Sequence, residues 1–382
     1  EPSYSYRGCW RLVLPSGDPY ERKAWIAWLK DKYGTIENMR KTWGENAVRF
    51  SDFQSVDVPP DSCFRGALFR TEEDNAYGMA ADFWQFAQES YDKWLGQIRE
   101  LVRQQAPEMQ IVMGRDESLR IPEEQDSVLQ GNLDMVCWHQ WHHDAEIYTE
   151  YLLNRVKGHI TCAQELGVYR VEETRGGKRM SDREIAQKLE RKLMFGFGNW
   201  IQWQSFHNPD KMELSENMLG IYRSDRSMTP AVTMMRQLMQ TENEAMPYLY
   251  DRSEDAFPIL TLYATSSHYS IYHNQSVEAL RNHIYVLNRG LRLQSDVIPE
   301  QLFCTRNQEA IGHPRLIMIP GAMRLSDACF EQLMETVQNG CTVLISGNIE
   351  ENEYFEDSVR LGVLEKETCF KKRHVRNYEE LQ

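Results

Sequence analysis

One glutamate in the sequence stands directly after an apolar segment that is typical of a buried strand. The segment 160–167 reads Ile-Thr-Cys-Ala-Gln-Glu-Leu-Gly, so Glu165 closely follows the apolar run and Gly167 permits a tight turn behind it. A carboxylate at the carboxyl end of a barrel strand is typical of a nucleophile or a proton-transfer group. Glu165 is therefore the leading catalytic candidate. Glu172 and Glu173 are alternatives that also fit a solvated loop.

A second cluster of residues that could do chemistry follows the apolar residues 133–138. Within 137–143 the sequence places three histidines and two tryptophans: Trp138, His139, Trp141, His142 and His143. Flat aromatic rings pack against sugar faces, and a histidine can orient a neighbouring carboxylate. The histidines lack a carboxylate or cysteine partner at zinc-ligand spacing, so we expect no metal here. A sugar-binding site and an ordinary loop are both consistent with this segment.

The ends of two further apolar segments add one charged and one aromatic candidate. Residues 109–113 lead into Gly-Arg-Asp-Glu, which would place Arg115 at the rim of a barrel. Residues 199–203 are Asn-Trp-Ile-Gln-Trp, and strand alternation predicts that Trp200 and Trp203 point to opposite faces. Trp203 lies nearer the end of the segment, so we expect it to form the platform for a sugar ring.

The elements that would position these residues alternate between helices and strands. The sequence predicts helices at about 20–33, 80–105, 181–195 and 229–239. Apolar residues at three- and four-residue spacing indicate the first two, and Ser181 with Glu184 forms a capping box for the third. Together with the four apolar segments, this order predicts β/α units around a parallel sheet.

A polar, acidic stretch at about 244–256 is interpreted as a linker to a second α/β run. Beyond it the sequence predicts strands at about 257–264, 293–298, 315–319 and 342–346, and helices at about 277–289 and 326–337. This order suits a small doubly wound domain. No GxGxxG pattern follows its first strand, which gives dinucleotide binding little support.

Composition restricts the classes of function. The sequence has 43 Lys and Arg against 57 Asp and Glu, and the net charge of −14 disfavours nucleic acid as a partner. The 8 cysteines show no CxxC spacing and several stand in apolar segments, which favours a reducing, cytoplasmic location. No apolar run approaches the roughly 18 residues of a membrane span, so no membrane partner is expected. No GxSxG, Walker or HExxH pattern occurs, and we expect no cofactor.

Three segments resemble the clan A glycoside hydrolases and, within that clan, the family 42 β-galactosidases. Residues 25–44, with their WL, YG and WG pairs, resemble the helical segment after the fourth barrel strand. Gln-Glu-Leu-Gly around Glu165 resembles the nucleophile at the end of the seventh strand. Residues 219–231 resemble the last barrel helix and its approach, and the chain from about residue 257 resembles the amidotransferase-like domain that follows such barrels.

This resemblance implies an α/β chain in two parts. Residues 1–245 would be the C-terminal part of a (β/α)8 TIM barrel, strands 5–8 starting at the end of strand 4. Residues 246–382 would be a doubly wound, flavodoxin/amidotransferase-like domain, either complete or in part. Domains of this kind often take part in oligomerisation, so a homo-oligomer is expected. Glu1, followed by Pro2, matches the acid/base glutamate that ends the family's fourth strand. Half a barrel leaves open sheet edges, so the chain should need the missing N-terminal half, from upstream sequence or another chain.

The function that follows is retaining hydrolysis of a glycosidic bond in a carbohydrate substrate, β-galactosidase-like, with Glu165 as nucleophile and Glu1 as acid/base. The side chains expected to bind the sugar are Arg115, Trp138, His139, Trp141 and Trp203. The alternative is a catalytically inactive carbohydrate-binding or scaffolding relative of the same fold. Amidotransferase chemistry has less support, because Cys329 lies within a predicted helix and Cys341 at the start of a predicted strand.

Overall fold

The described part of the chain forms two four-stranded parallel sheets and a short antiparallel hairpin. The computed structural model describes residues 4–6, 9–11, 15–60, 77–115, 134–139, 160–166, 199–202, 222–249, 258–305 and 313–369, with short gaps at 224, 269–272, 294 and 355–358. The hairpin consists of β1 (Tyr4–Tyr6) and β2 (Cys9–Arg11). The predicted helix at 181–195 lies outside the described residues.

The first sheet carries the predicted site residues. Its strands are β3 (Val112–Arg115), β4 (Met135–His139), β5 (Ile160–Leu166) and β6 (Asn199–Gln202), and they are described by their backbone. They pair in chain order, β3-β4-β5-β6, and every pair is parallel. Neighbouring strands that follow one another in this way are typical of consecutive strands of a β/α barrel, which confirms the prediction of a parallel sheet in an α/β fold.

Three helices pack into one aromatic core. They are α1 (Pro19–Tyr33), α2 (Ile36–Trp43) and α3 (Tyr77–Gln105), so both long helices predicted here are confirmed. Asp18 accepts hydrogen bonds from the first backbone amides of α1, Pro19 occupies its first position, and Gly34 ends it with φ +69°. The rings of Trp25 and Trp43 stack at a centroid distance of 6.2 Å.

The carboxylate of Asp82 on α3 is buried in this core with 2% exposure. Trp43 Nε1 donates to Oδ2 over 2.8 Å, Tyr33 donates its hydroxyl to the same oxygen, and Lys32 Nζ donates to Oδ1 over 2.8 Å. Burial, and then the charge of Asp82, raise the pKa of Tyr33 far above its usual value, so that Tyr33 remains a hydrogen-bond donor. The hydrogen bonds to Asp82 therefore connect all three helices.

The second sheet is built from β7 (Ile259–Tyr263), β8 (Asp296–Pro299), β9 (Leu316–Arg324) and β10 (Thr342–Glu351). The strand order is β10-β9-β7-β8 with all pairs parallel, so the direction of winding reverses between β7 and β9. The helices described with it are α4 (Pro230–Leu249), which precedes the sheet, α5 (Thr265–His268), α6 (His273–Tyr285) with a π-helical continuation (Val286–Gly290), α7 (Glu300–Thr305), α8 (Asp327–Gln338) and α9 (Arg360–Glu367).

Three sequence predictions of element ends need correction, and one is the strand predicted at 342–346, which continues as β10 to Glu351. Part of the predicted linker, 244–249, is the last part of helix α4, because Glu, Ala and Met are good helix formers despite the polarity of the stretch. The strand predicted to end before Pro320 continues as β9 to Arg324. It bends at Gly321, where φ is +63° and an added Cβ would lie 2.3 Å from the Cβ of Ala279.

The carboxyl edge of the second sheet is filled by side chains of the same chain. The buried carboxylate of Glu300 accepts hydrogen bonds from the backbone amides of Ser266 over 2.6 Å and Ser326 over 2.7 Å. The buried guanidinium of Arg324 donates to the carbonyl oxygens of Ser266 over 3.2 Å and Asn352 over 3.0 Å. Ligands of open α/β sheets bind at this edge, so here these internal hydrogen bonds occupy the usual ligand position.

Lys32 contacts residues of both parts of the chain. Lys32 of α1 lies 4.8 Å from the ring centroid of Trp28 and 5.4 Å from that of Tyr354, which follows β10. Its ammonium group also pairs with the buried Asp82. This contact places Tyr354, which follows β10, next to the α1–α3 core.

His283 on α6 should make the protein less stable in mild acid. Burial lowers its pKa from 6.5 to about 4, and its Nε2 lies 3.3 Å from Oγ1 of the buried Thr261. The unfolded chain takes up the proton near pH 6.5, whereas the folded chain resists it until about pH 4. Stability is thus lost as the pH falls through this window, by up to about 3 kcal/mol.

Urea unfolding at pH 7 and pH 4.5 measures this effect, with the variant His283→Gln as the comparison. Glutamine cannot take up a proton, so the variant should lose less stability between the two pH values than the original protein does. The same loss in both proteins would show that carboxylates elsewhere account for the acid sensitivity.

Candidate active site

Four parallel strand ends place the candidate residues along one edge of the first sheet. Arg115 is the last residue of β3, His139 is the last of β4, and Glu165 is the next-to-last of β5. Gln202 ends β6, directly before Trp203. Carboxyl ends of parallel strands meet at the same edge, which is the edge where β/α barrels carry out their chemistry.

The strand register defines how these positions are aligned. Arg115 pairs with Trp138, and Trp138 pairs in turn with Ala163. His139 is one residue further along and pairs with Gln164. With strands about 4.8 Å apart and a rise of about 3.3 Å per residue, the Cα atoms of His139 and Glu165 are roughly 6 Å apart. The backbone therefore brings these two positions to neighbouring points of the edge.

The same register separates two of the predicted sugar-binding residues. Trp138 and His139 are successive residues of β4, and successive positions of a strand belong to opposite faces of a sheet. Trp138 shares its row with Arg115, while His139 shares the next row with Gln164. Arg115 and Trp138 are thus on one face of the regular sheet and His139 is on the other.

A β-bulge interrupts β5 at the predicted nucleophile. Ala163 pairs with Trp200 and Leu166 pairs with Gln202, so that Gln164 and Glu165 together lie opposite the single residue Ile201. A bulge of this kind bends the strand and changes the direction in which its residues project, and bulges are frequent next to active sites. The strand that carries Glu165 is therefore irregular at that residue.

An ion pair fixes the opposite, amino-terminal end of β3 and β4. The carboxylate of Asp134, just before β4, accepts hydrogen bonds from Arg103 Nη2 over 2.6 Å and from the backbone amide of Ile111 over 2.7 Å. Arg103 also donates to the carbonyl oxygen of Met109 over 2.6 Å. These bonds attach the end of α3 to the start of both strands, and so they set the height of Arg115 and His139 along the edge.

The described residues cover only part of the predicted site. Glu1, Trp141 and Trp203 lie outside them, as do Glu172 and Glu173. Arg115, Trp138, His139 and Glu165 are described by the backbone of their strands. The structure thus brings four of the predicted positions to one edge, and their roles remain predictions.

Sequence reasoning missed two features that shape this edge. The bulge at Glu165 has no glycine or other signal in the segment 160–166, because it depends on the register with β6. Asp134 fell within the predicted strand 133–138, yet it lies just before β4 and pairs with Arg103 at the end of α3. Within the described ranges, no group of three His, Cys, Asp or Glu residues could hold a metal ion, and no helix there is long and apolar enough to cross a membrane.

In a comparison with known proteins, the model of glycoside hydrolase family 42, described as Beta-galactosidase, matches residues 18–171 of this chain. This range includes α1–α3 and the strands β3–β5 with Arg115, His139 and Glu165. No sequence among the curated proteins matches this chain.

Several solved structures share the fold. A catalytic mutant of a family 42 β-galactosidase from G. stearothermophilus matches 91% of this chain with a TM-score of 0.71 at 13% identity. The β-galactosidase from Bacillus circulans sp. alkalophilus matches 91% with a TM-score of 0.68 at 13% identity, and an exo-carrageenase of family 42 from Bacteroides ovatus matches 92% with a TM-score of 0.64 at 14% identity. The matches cover 52%, 52% and 48% of those chains, so this chain spans about half the length of the structures it resembles. The resemblance to the family 42 β-galactosidases is therefore confirmed.

Proposed function

We propose that this chain, a partial relative of the family 42 β-galactosidases, is the part of a retaining glycoside hydrolase that carries its nucleophile. The observation that supports the proposal most directly is the position of Glu165. It stands at the carboxyl end of a parallel strand, in a β-bulge, within the range matched by the family model. Glycoside hydrolysis needs a carboxylate at such a place, next to a second carboxyl group.

The proposed reaction is a double displacement with two glutamates. The Glu165 carboxylate attacks the anomeric carbon while the Glu1 carboxyl group protonates the departing glycosidic oxygen. Glu1 then takes a proton from water, and that water displaces Glu165 from the glycosyl-enzyme, which restores both groups. Retention by this route requires the two carboxyl groups to be about 5–5.5 Å apart.

The sugar would be held by the remaining residues of the same edge. We assign Arg115 and His139 to orienting Glu165 and the sugar hydroxyls. His139 ends β4, which pairs directly with β5, and Arg115 ends β3, the next strand along the same edge. The aromatic residues Trp138, Trp141 and Trp203 would supply apolar surface for the sugar ring.

We also propose that the active unit includes barrel strands beyond those described. Among the described residues β3 pairs only with β4, and the chain spans about half the length of its structural relatives. An unpaired barrel edge would expose backbone hydrogen-bonding groups, so the N-terminal half must come from the same polypeptide or from another chain. In the same proposal, residues 1–245 are the barrel part and 246–382 are an amidotransferase-like domain that promotes homo-oligomers.

A panel of nitrophenyl glycosides tests the function on the complete protein. We expect the β-galactoside to be hydrolysed fastest, with the β-configured sugar appearing first in a time-resolved NMR spectrum. Hydrolysis with inversion would contradict the two-glutamate mechanism. Binding of galactosides without turnover of any member of the panel would instead support an inactive carbohydrate-binding relative.

A further inference from the structure

Three aromatic rings from two distant segments of the chain lie close to the ammonium group of Lys32. Its Nζ atom is 4.8 Å from the ring centroid of Trp28 and 5.7 Å from that of Tyr33, and both of these residues are on α1 with Lys32. The third ring is that of Tyr354, which follows β10 and has its centroid at 5.4 Å. A cation within about 6 Å of a ring centroid is attracted by the negative face of the ring. The three rings thus form a cage of the kind that binds ammonium groups.

Two oxygen atoms complete this cage. Lys32 Nζ donates hydrogen bonds to Oδ1 of the buried Asp82 over 2.8 Å and to Oε1 of Gln85 over 2.7 Å. The side chain of Lys32 is 17% exposed, so its ammonium group has exchanged most of its water for these partners. A charge that is removed from water is stable only while its partners are in place. The position of Lys32 therefore depends on the ring of Tyr354 as well as on its partners in the helical core.

Tyr354 is held in its place by the second sheet. Its backbone amide donates to Oδ1 of the buried Asn352 over 2.9 Å. The buried guanidinium of Arg324 on β9 donates to the carbonyl oxygen of Asn352 over 3.0 Å and to that of Glu353. The turn that carries Tyr354 can move away from Lys32 only if these buried hydrogen bonds break, which is costly.

We propose that these groups form a binding site for a primary ammonium ion, that Lys32 occupies this site, and that the occupied cage makes the α1–α3 core and the second sheet unfold as one unit. The path between the two is continuous and consists of Asp82, Lys32, Tyr354, Asn352 and Arg324. Attraction between a cation and a ring is stronger where water is excluded, as it is here. None of these groups belongs to the proposed active site, and the coupling is independent of catalysis.

Acetylation of the lysines of α1 tests whether Tyr354 closes the cage. The complete protein is treated briefly with the N-hydroxysuccinimide ester of acetic acid, and each modified lysine is quantified by peptide mass. We expect Lys32 to react more slowly than Lys23 and Lys30, which are exposed on the same helix. Tyr354→Leu should raise the rate at Lys32 about 3- to 5-fold, because the ammonium group must leave the cage to react and one attraction that holds it is lost. Tyr354→Phe keeps a ring and should leave the rate nearly unchanged.

Pulsed hydrogen exchange at increasing urea concentrations tests the coupling. Peptides from 19–43 and from 316–338 report the unfolding midpoints of the core and of the second sheet separately. We expect a common midpoint in the original protein and in Tyr354→Phe, and two midpoints roughly 0.5 M urea apart in Tyr354→Leu and Lys32→Ala. Propylammonium replaces the atoms that Lys32→Ala removes, so it should bring the midpoints of this variant together again. Sodium chloride at the same concentration should not.

Three results would overturn the proposal. The first is equal acetylation rates of Lys23, Lys30 and Lys32 in the original protein, and the second is the same effect of propylammonium and sodium chloride on folded Lys32→Ala. The third is a common midpoint in Tyr354→Leu, or separate midpoints already in the original protein. Tyr354→Leu leaves the buried hydrogen bonds of Asp82 in place, so the tyrosine variants decide the question even if Lys32→Ala does not fold.

Discussion

Replacing Glu165 by alanine in the complete protein should lower kcat on a nitrophenyl β-galactoside on the order of 10⁴-fold. The reason is that the proposed glycosyl-enzyme cannot form without the carboxylate, and a loss of this size equals roughly 5–6 kcal/mol of transition-state stabilisation. The substitution removes a side chain at the carboxyl edge, where catalytic positions of barrels contribute little to folding, so the unfolding curve should be nearly unchanged. Steady-state kinetics and urea unfolding measure the two quantities.

Azide provides the control that separates a nucleophile from a merely structural residue. This small anion can attack the anomeric carbon from the space that Glu165 leaves, and it should restore part of the activity and yield a glycosyl azide of inverted configuration. Glu172→Ala and Glu173→Ala are matched variants from the same stretch of sequence, and we expect both to keep most of their activity. Full activity in Glu165→Ala, or a comparable loss with azide rescue in either matched variant, would transfer the role to another carboxylate.

Replacing Asp82 by alanine should destabilise the fold more than any surface substitution, by about 3–5 kcal/mol. The change leaves the Trp43 indole N–H, the Tyr33 hydroxyl and the Lys32 ammonium group without their buried acceptor. Each orphaned donor costs about 1–3 kcal/mol. The total is less than the sum, because Lys32 keeps its hydrogen bond to Gln85 Oε1 and the other donors can partly relax. The free energy of unfolding in urea, followed by tryptophan fluorescence, measures the effect.

Asp57 is the matched control for this experiment. It also pairs with a basic residue, Arg22, over 3.1 Å, but its side chain is 74% exposed. Exposed pairs contribute about 0–1 kcal/mol, so Asp57→Ala should change stability little. Equal effects of the two substitutions would mean that the buried hydrogen bonds of Asp82 are not what joins the three helices.

Hydrophobic periodicity and capping residues were sufficient to predict most of the described elements. The helix at 20–33 was predicted because its apolar residues recur on one face, and it is found as α1. The strand runs were predicted because each is short and apolar between polar segments, and all eight form the two parallel sheets. Strand order in the second sheet and its reversal between β7 and β9 could not be predicted, since they depend on pairing between distant segments.

The parts of the site that sequence could not predict are those made by distant residues. Glu165 was expected just beyond its strand, yet it lies inside β5, because β6 pairs with the strand on both sides of a bulge. Asp82 gave no signal of its own within an amphipathic helix, and its three partners come from α1 and α2. The carboxylate of Glu300 likewise became recognisable as structural only once its partners Ser266 and Ser326 were seen at neighbouring strand ends.

The contact of Lys32 with Tyr354 limits how this chain can be recombined with its relatives. In the sequence, Lys32 precedes α4 and Tyr354 follows it, and α4 is the natural place to join two parts taken from different proteins. A chimera joined at α4 would inherit the lysine from one parent and the facing surface from the other. Because Lys32 also pairs with Asp82, a mismatch at this one position would destabilise the helical core as well as the contact between the two parts. The two parts are therefore best exchanged together, or with both residues carried across the junction.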